Sequence, residues 1–323
     1  MIGAMASRAE RAAVRIADYV VRTPLRHSPA FSERLGAQVR FKLENRQATG
    51  SFKLRGATNR LLTLDDERRG RGCVAASSGN HGAAVACALQ RLGIEGIIFV
   101  PEHTSPAKVA KIRGYDCRVE FFGTDGLDTE QHARTFAAER GMFYVSPYND
   151  EEVIAGQGTI GIEILEEFPD VDDVFVAVGG GGLIAGIGSV LKNHRPAIRV
   201  IGCQPLASPV MARSIAAGKI LDLPSKPTLS DGTAGGIEPH TLTFPLNQAV
   251  VDEWVLVDEE QIAAAMQTCM QTEYDIVEGA AGVAIAGLLQ RRAAIVGRNV
   301  AVILCGGNVS DDVLASLERG EPG

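Results

Sequence analysis

Short apolar runs rich in Val and Ile recur along the chain and alternate with Ala- and Leu-rich stretches of helical period. The runs predict strands over 39–43, 73–76, 96–100, 118–122, 142–145, 174–178, 200–203 and 300–304. Between them the pattern predicts helices over 82–92, 129–140, 156–167, 183–193 and 259–272. Strands and helices in alternation imply an α/β fold, a parallel sheet with helices on both faces. The charged run over 65–72 reads as a solvated connector ahead of a compact strand–helix series, and a second, larger series starts near residue 150. Two lobes are therefore expected, each a mostly parallel sheet flanked by helices. The larger takes 1–68 and 148–323, the smaller 69–147. Ligands of open sheets bind beyond the carboxyl ends of the strands, so the loops that follow strands carry the candidate chemistry.

Three such loops stand out. Ala75-Ala76-Ser77-Ser78-Gly79-Asn80-His81-Gly82 leaves a strand and opens a helix, where free backbone N–H groups and the positive dipole end favour an anion. One cap residue would suffice to start that helix; four polar residues and two glycines exceed the need. Gly179-Gly180-Gly181-Gly182-Leu183 also joins a strand to a helix, and its missing Cβ atoms let successive N–H groups close around phosphate oxygens. Cys305-Gly306-Gly307-Asn308 places a thiol directly after a strand. A fourth segment, Thr49-Gly50-Ser51-Phe52-Lys53-Leu54-Arg55-Gly56-Ala57, reads as a helix start with Thr49 or Ser51 as cap. A cation is disfavoured there, a conflict that imine formation or a depressed amine pKa resolves.

Composition narrows the picture. The 323 residues are 46% hydrophobic and 22% charged, with a formal net charge of −7. A nucleic-acid partner is not expected of an acidic chain. No apolar run reaches the roughly 18 residues of a membrane span, and the first residues lack the apolar core of a secretory signal. Six scattered cysteines without a CxxC pair fit a reducing, cytoplasmic setting better than a disulfide framework.

Taken together, ENRQATGSFKLRGA, ASSGNHG, VIAGQGT, VGGGGLIAG and LCGGN, in that order over nearly the whole chain, resemble the fold-type II pyridoxal-phosphate enzymes of the tryptophan-synthase β family. Within it they are most similar to the serine/threonine dehydratase and serine racemase branch. The resemblance implies pyridoxal 5'-phosphate bound by the larger domain, with the smaller on the substrate side. Lys53 is similar to the lysine that holds the cofactor as a Schiff base and then serves as base at the substrate's α-carbon. Phe52 matches the aromatic neighbour packed on the ring, and Asn80 the amide that bonds the ring's 3-oxygen. Ser77, Asn80 and His81 would receive the substrate carboxylate, and Ser78 matches the proton donor of racemases. Gly179, Gly180, Gly181, Gly182 and Leu183 would hold the phosphate; Gly232 and Glu278 would lie close to the ring. Cys305 takes the Ser-or-Cys position at the pyridine nitrogen, where a neutral group weakens the electron sink and favours elimination. The implied reaction is a lyase reaction: β-elimination from a small β-hydroxy amino acid such as L-threonine or L-serine, yielding a 2-oxo acid and ammonia. A homodimer is implied likewise.

Departures leave alternatives open. Some members bind a divalent cation through a GxEP…D segment, but Gly202-Cys203-Gln204-Pro205 and the residues to Val210 offer no carboxylate, so no metal is expected. Ser78 keeps racemisation open, whereas Tyr148 resembles the dehydratase form of its loop. The glycine-rich stretch from Ser230 to Glu238 points to another 3-hydroxy amino acid: hydroxyaspartate, phenylserine or an intermediate of compatible-solute breakdown. A nucleotide-binding oxidoreductase would use the GxGxxA match at Gly180, yet Gln204 stands where an acidic ribose ligand belongs. A silent cofactor-binding scaffold would not need Lys53.

Overall fold

Branched side chains pack well on sheets covered on both faces, and the Val- and Ile-rich runs do become strands. The structure, a computed structural model, describes residues 1–319. Its strands are β1 (Leu25–His27), β2 (Gln38–Lys42), β3 (Cys73–Ala76), β4 (Gly96–Val100), β5 (Arg118–Phe121), β6 (Phe143–Tyr144), β7 (Asp173–Ala177), β8 (Arg199–Pro205), β9 (Glu253–Val257) and β10 (Asn299–Ile303). They form a six-stranded sheet in the order β1-β2-β10-β7-β8-β9 and a four-stranded sheet in the order β5-β4-β3-β6. Every pairing is parallel except that of β1 with β2. The edge strands β1 and β9 were not anticipated. β1 is too short to show a period, and β9 sits between polar residues.

In the larger sheet the strand order reverses between β7 and β10, and in the smaller between β3 and β6. Loops on either side of a reversal part from each other and open a crevice. The glycine loop follows β7, the Cys305 loop follows β10, the Ser77–His81 loop follows β3, and Pro147 and Tyr148 follow β6. Topology alone therefore gathers the candidate loops at the strands' carboxyl ends.

The solvated segment over 65–72 is exposed as expected and forms a short helix, Asp66–Arg71, capped by the Asp65 side chain. Neither Thr49 nor Ser51 caps the helix Lys53–Leu62; Phe52 precedes it without a side-chain bond, and both hydroxyls are buried without partners. Tertiary pairing displaced the local cap. Ser51 bridges to Gly306, Phe52 N–H donates to Cys305 O (3.0 Å), and Gly307 N–H to Gly50 O (2.9 Å).

This helix serves both cores. Leu54, Ala57 and Leu61 pack with the apolar residues of the four-stranded sheet, among them Cys73, Ala75 and Val145. From the same helix Arg55, 1% exposed, forks into the other lobe. Its guanidinium meets Glu44 at 2.8 and 2.9 Å and Glu163 at 2.6 and 2.9 Å, while Lys42 pairs with Glu163 at 2.5 Å. Two cations and two carboxylates balance inside the protein. Burial works against ionisation of Glu44, but Arg55 and Lys42 hold its carboxyl below the ordinary range. The motif VIAGQGT has a packing role beside this cluster. A Cβ on Gly156 would stand 2.6 Å from Gly56 Cα, so glycine lets the two helix backbones touch, and Gln157 Oε1 accepts from Gly56 N–H.

Breaking a buried pair strands a charge, which costs about 3–5 kcal/mol. Arg55→Met is therefore expected to lower the unfolding free energy by about that amount in urea titration. A loss below about 1 kcal/mol would show that the cluster contributes little.

Candidate active site

Lys53 opens its helix at the seam between the lobes. Its ammonium donates to Pro147 O at 2.8 Å and lies 5.3 Å from the Phe52 ring centroid. The residue is partly open to the cleft, yet its surroundings strip water from the amine. Burial lowers its pKa to about 8, against the opposing pull of Cys305 and Glu278. No carboxylate forms an ion pair with it among the described residues.

Cys305 is 2% exposed just beyond β10. Burial first, and Glu278 second, push its thiol well above the ordinary range, so it stays neutral. Glu278 precedes the helix Gly279–Gln290 and points its carboxyl over Gly306, where a Cβ would come within 2.5 Å of it. It accepts from Asn80 Nδ2 at 2.8 and 3.0 Å and from Asn308 N–H at 3.1 Å. Burial outweighs these donors and raises its pKa to about 7.

The helix Asn80–Leu92 starts at Asn80 with Gly79 before it and no side-chain cap. Its first-turn N–H groups remain for a ligand. Ser77 Oγ accepts from Gly79 N–H, and Ser78 makes no side-chain hydrogen bond to any described residue. The His81 ring is buried and spent on Val145 O at 2.9 Å, so Nε2 carries the proton. Burial, with Lys53 nearby, depresses its pKa to about 3 and keeps it neutral. What His81 offers an anion is its backbone N–H; the imidazole is engaged elsewhere.

The glycine loop leads into the helix Gly182–His194, again without a side-chain cap. A Cβ on Gly180 would lie 2.4 Å from the Tyr148 ring, and Gly181 has φ +86° with Asn247 Nδ2 only 1.9 Å from its Cβ position. Tyr148 and Asn247 back the loop, and a side chain at either glycine would displace it. Both amide atoms of Asn247 are buried without partners. Leu183 is buried, and Thr233 lies against Gly179. Gly232, next to Thr233, is exposed in the turn Asp231–Thr233, with nothing within 4 Å of its Cβ position. Gln204 is tied to Val178 O and Ala212 N–H, and no group of His, Cys, Asp or Glu suited to a metal occurs among the described residues. Two open grooves, about 430 Å³ beside Glu10 and His194 and about 570 Å³ beside Val109 and Phe121, lie away from all of these residues.

The family model for pyridoxal-phosphate dependent enzymes matches residues 16–306. The chain belongs to that family. L-threonine ammonia-lyase of Geobacter sulfurreducens is 41% identical over 307 residues, spanning 95% of this chain and 76% of that protein. Catabolic L-threonine dehydratase of Escherichia coli K12 is 39% identical, spanning 91% and 90%. The structure of maize serine racemase superposes with a TM-score of 0.91 at 34% identity, covering 97% of this chain and 96% of that one.

The residues present fit pyridoxal phosphate. Lys53 supplies a desolvated amine without an ion-pair partner, the side-chain-free loop before Gly182–His194 supplies N–H donors for a phosphate, and the buried thiol of Cys305 is neutral. Sequence reasoning missed Pro147, whose carbonyl holds the amine, and gave no role to Asn308. A carbonyl has no signature in the sequence; Asn308 was visible within LCGGN but not its contacts. Only a neutral amine attacks an aldehyde, so uptake of pyridoxal phosphate by stripped protein is expected to speed up as pH rises through about 8 and then level off. A stopped-flow absorbance series checks this, and a midpoint near the ordinary lysine value of about 10.4 would refute the desolvation.

Proposed function

We propose that the protein eliminates the β-hydroxyl of a small L-amino acid such as threonine or serine, yielding a 2-oxo acid and ammonia. The observation that carries this reading is the pairing of a desolvated Lys53 amine with a buried, neutral Cys305 thiol, in a chain about 40% identical to threonine ammonia-lyases. Bound pyridoxal phosphate supplies an aldehyde that takes the substrate's amine and a conjugated ring that draws electrons from its α-carbon.

The chain supplies the rest. Lys53, with a pKa of about 8, is partly neutral near pH 7 and can accept the α-proton, steadied by Pro147 O. Gly179 to Leu183 hold the phosphate. The start of the helix Asn80–Leu92, with Ser77 and the His81 N–H, takes the substrate carboxylate. Phe52, Asn80, Gly232 and Glu278 would flank the ring. Cys305 would stand at the ring nitrogen, and a neutral thiol there would stabilise no charge on it, which would favour expulsion of the β-hydroxyl over return of the α-proton. Ser78, free of protein partners, is the group through which a racemase side reaction would run. Loss of water and hydrolysis of the released enamine leave the 2-oxo acid and ammonia.

In the same reading the larger domain, 1–68 with 148–323, binds the cofactor and 69–147 closes over the substrate. The enzyme is a cytoplasmic homodimer. All six cysteines are unpaired and buried, which suits a reducing compartment, and among the described residues no helix is long and apolar enough to cross a membrane.

Purified protein given L-threonine, L-serine, 3-hydroxyaspartate and phenylserine is expected to release 2-oxo acid and ammonia in equal amounts from at least one. Lys53→Ala is expected to cut turnover by ~10³-fold or more and to abolish the visible cofactor band. D-amino acid as the main product would favour racemisation instead. Unimpaired turnover by Lys53→Ala would overturn the assignment.

A further inference from the structure

A chain of hydrogen bonds crosses from the small lobe to the floor of the site. Lys111, exposed on the helix Pro106–Arg113, donates from Nζ to Asn308 Oδ1. Asn308 Nδ2 donates to Asn80 Oδ1 at 2.6 Å and to Thr49 O at 2.9 Å. Asn80 Nδ2 donates to Glu278. An ammonium has donors only and a carboxylate acceptors only, so the two amides between them are held in one orientation. Both Asn80 contacts run to one carboxylate, so a single N–H can serve them and the second is left for a ligand.

We propose that Lys111 is a positioning residue: its ammonium fixes the direction of the Lys111–Asn308–Asn80–Glu278 chain and thereby makes Asn80 present an N–H, not its oxygen, to the cofactor ring. The inference rests on the reading of Asn80 as a ring contact. Thr49 O, an acceptor only, holds Asn308 in the same orientation from the side; without the donor at the chain's head it alone opposes reversal when Glu278 takes up a proton, because a carboxylic acid can donate to Asn80 Oδ1. Glu278 also faces Lys53, Cys305 and Asp231, whose charges act on it whether or not Lys111 is present.

Lys108, one turn earlier on the same helix, provides the control. It also reaches across the cleft, to Asp231 at 3.4 Å, and like Lys111 it is exposed, but that pair touches no amide of the chain. Lys111→Met, Lys111→Arg and Lys108→Met holoenzymes are compared by visible absorbance from pH 6 to 8, by the dissociation constant for pyridoxal phosphate, and by kcat and KM separately. Lys111→Met is expected to hold the cofactor roughly tenfold more weakly, the scale of one hydrogen bond to a charged group. Its absorbance should become pH-dependent across that range, and kcat should fall more than KM rises. Lys111→Arg should restore most of each property, and Lys108→Met should match wild type. Lys111→Met indistinguishable from Lys108→Met, or Lys111→Arg as impaired as Lys111→Met, would overturn the positioning role while leaving the proposed reaction intact. Failure of the wild-type protein to take up pyridoxal phosphate would instead sink the reading of the site, and this inference with it.

Discussion

The Arg55 cluster is the constraint on which the rest depends. Arg55 sits two residues after Lys53, and its guanidinium is held by two carboxylates from different elements of the larger lobe. The opposite face of the same helix is buried in the smaller lobe. A helix fixed by ion pairs on one side and apolar contact on the other has little freedom to rotate. Its first residue therefore enters the cleft at a set depth. An apolar replacement could fill the volume, but it would not give the bidentate geometry that orients the helix.

With that depth set, the chemistry of the cleft follows from desolvation. Burial acts in the same sense on each ionisable group there, against charge. It lowers Lys53 to about 8 and His81 to about 3, lifts Glu278 to about 7, and keeps Cys305 a thiol. The site is thus poor in fixed charge, and its anion-binding capacity resides in backbone N–H groups at two helix starts. Such donors are rigid and keep their charge state at any pH. They suit a phosphate and a carboxylate that must be held while a proton moves between them.

Two kinds of glycine serve this arrangement. Gly56 and Gly156 let the lysine-bearing helix press on its neighbour, and Gly180 and Gly181 let the phosphate loop lie against Tyr148 and Asn247. Tyr148 also accepts from Glu238 N–H at 2.9 Å, so the loop, the residue after Pro147 and the segment after Thr233 are in direct contact. The carbonyl that holds Lys53 is coupled through its neighbour to the loop that would hold the phosphate.

The α/β class, the two parallel sheets and the loops that matter could be read from the sequence, because strand periodicity and glycine-rich strand ends are local properties of the chain. The family was legible for the same reason: the motif around Lys53 is contiguous and five motifs fall in order. Local rules failed where long-range contacts outbid them. Thr49 and Ser51 are typical caps, but the segment holding them pairs with Gly306 and Gly307. His81 looked like an anion ligand, yet Val145 O, 64 residues away, claims its ring. Lys111 gave no sign at all, since its reach to Asn308 spans 197 positions. Sequence by itself determined the family and the motifs that propose which residues carry the chemistry. Only the tertiary structure decided their protonation and partners, because burial and hydrogen bonding depend on what is packed nearby in space.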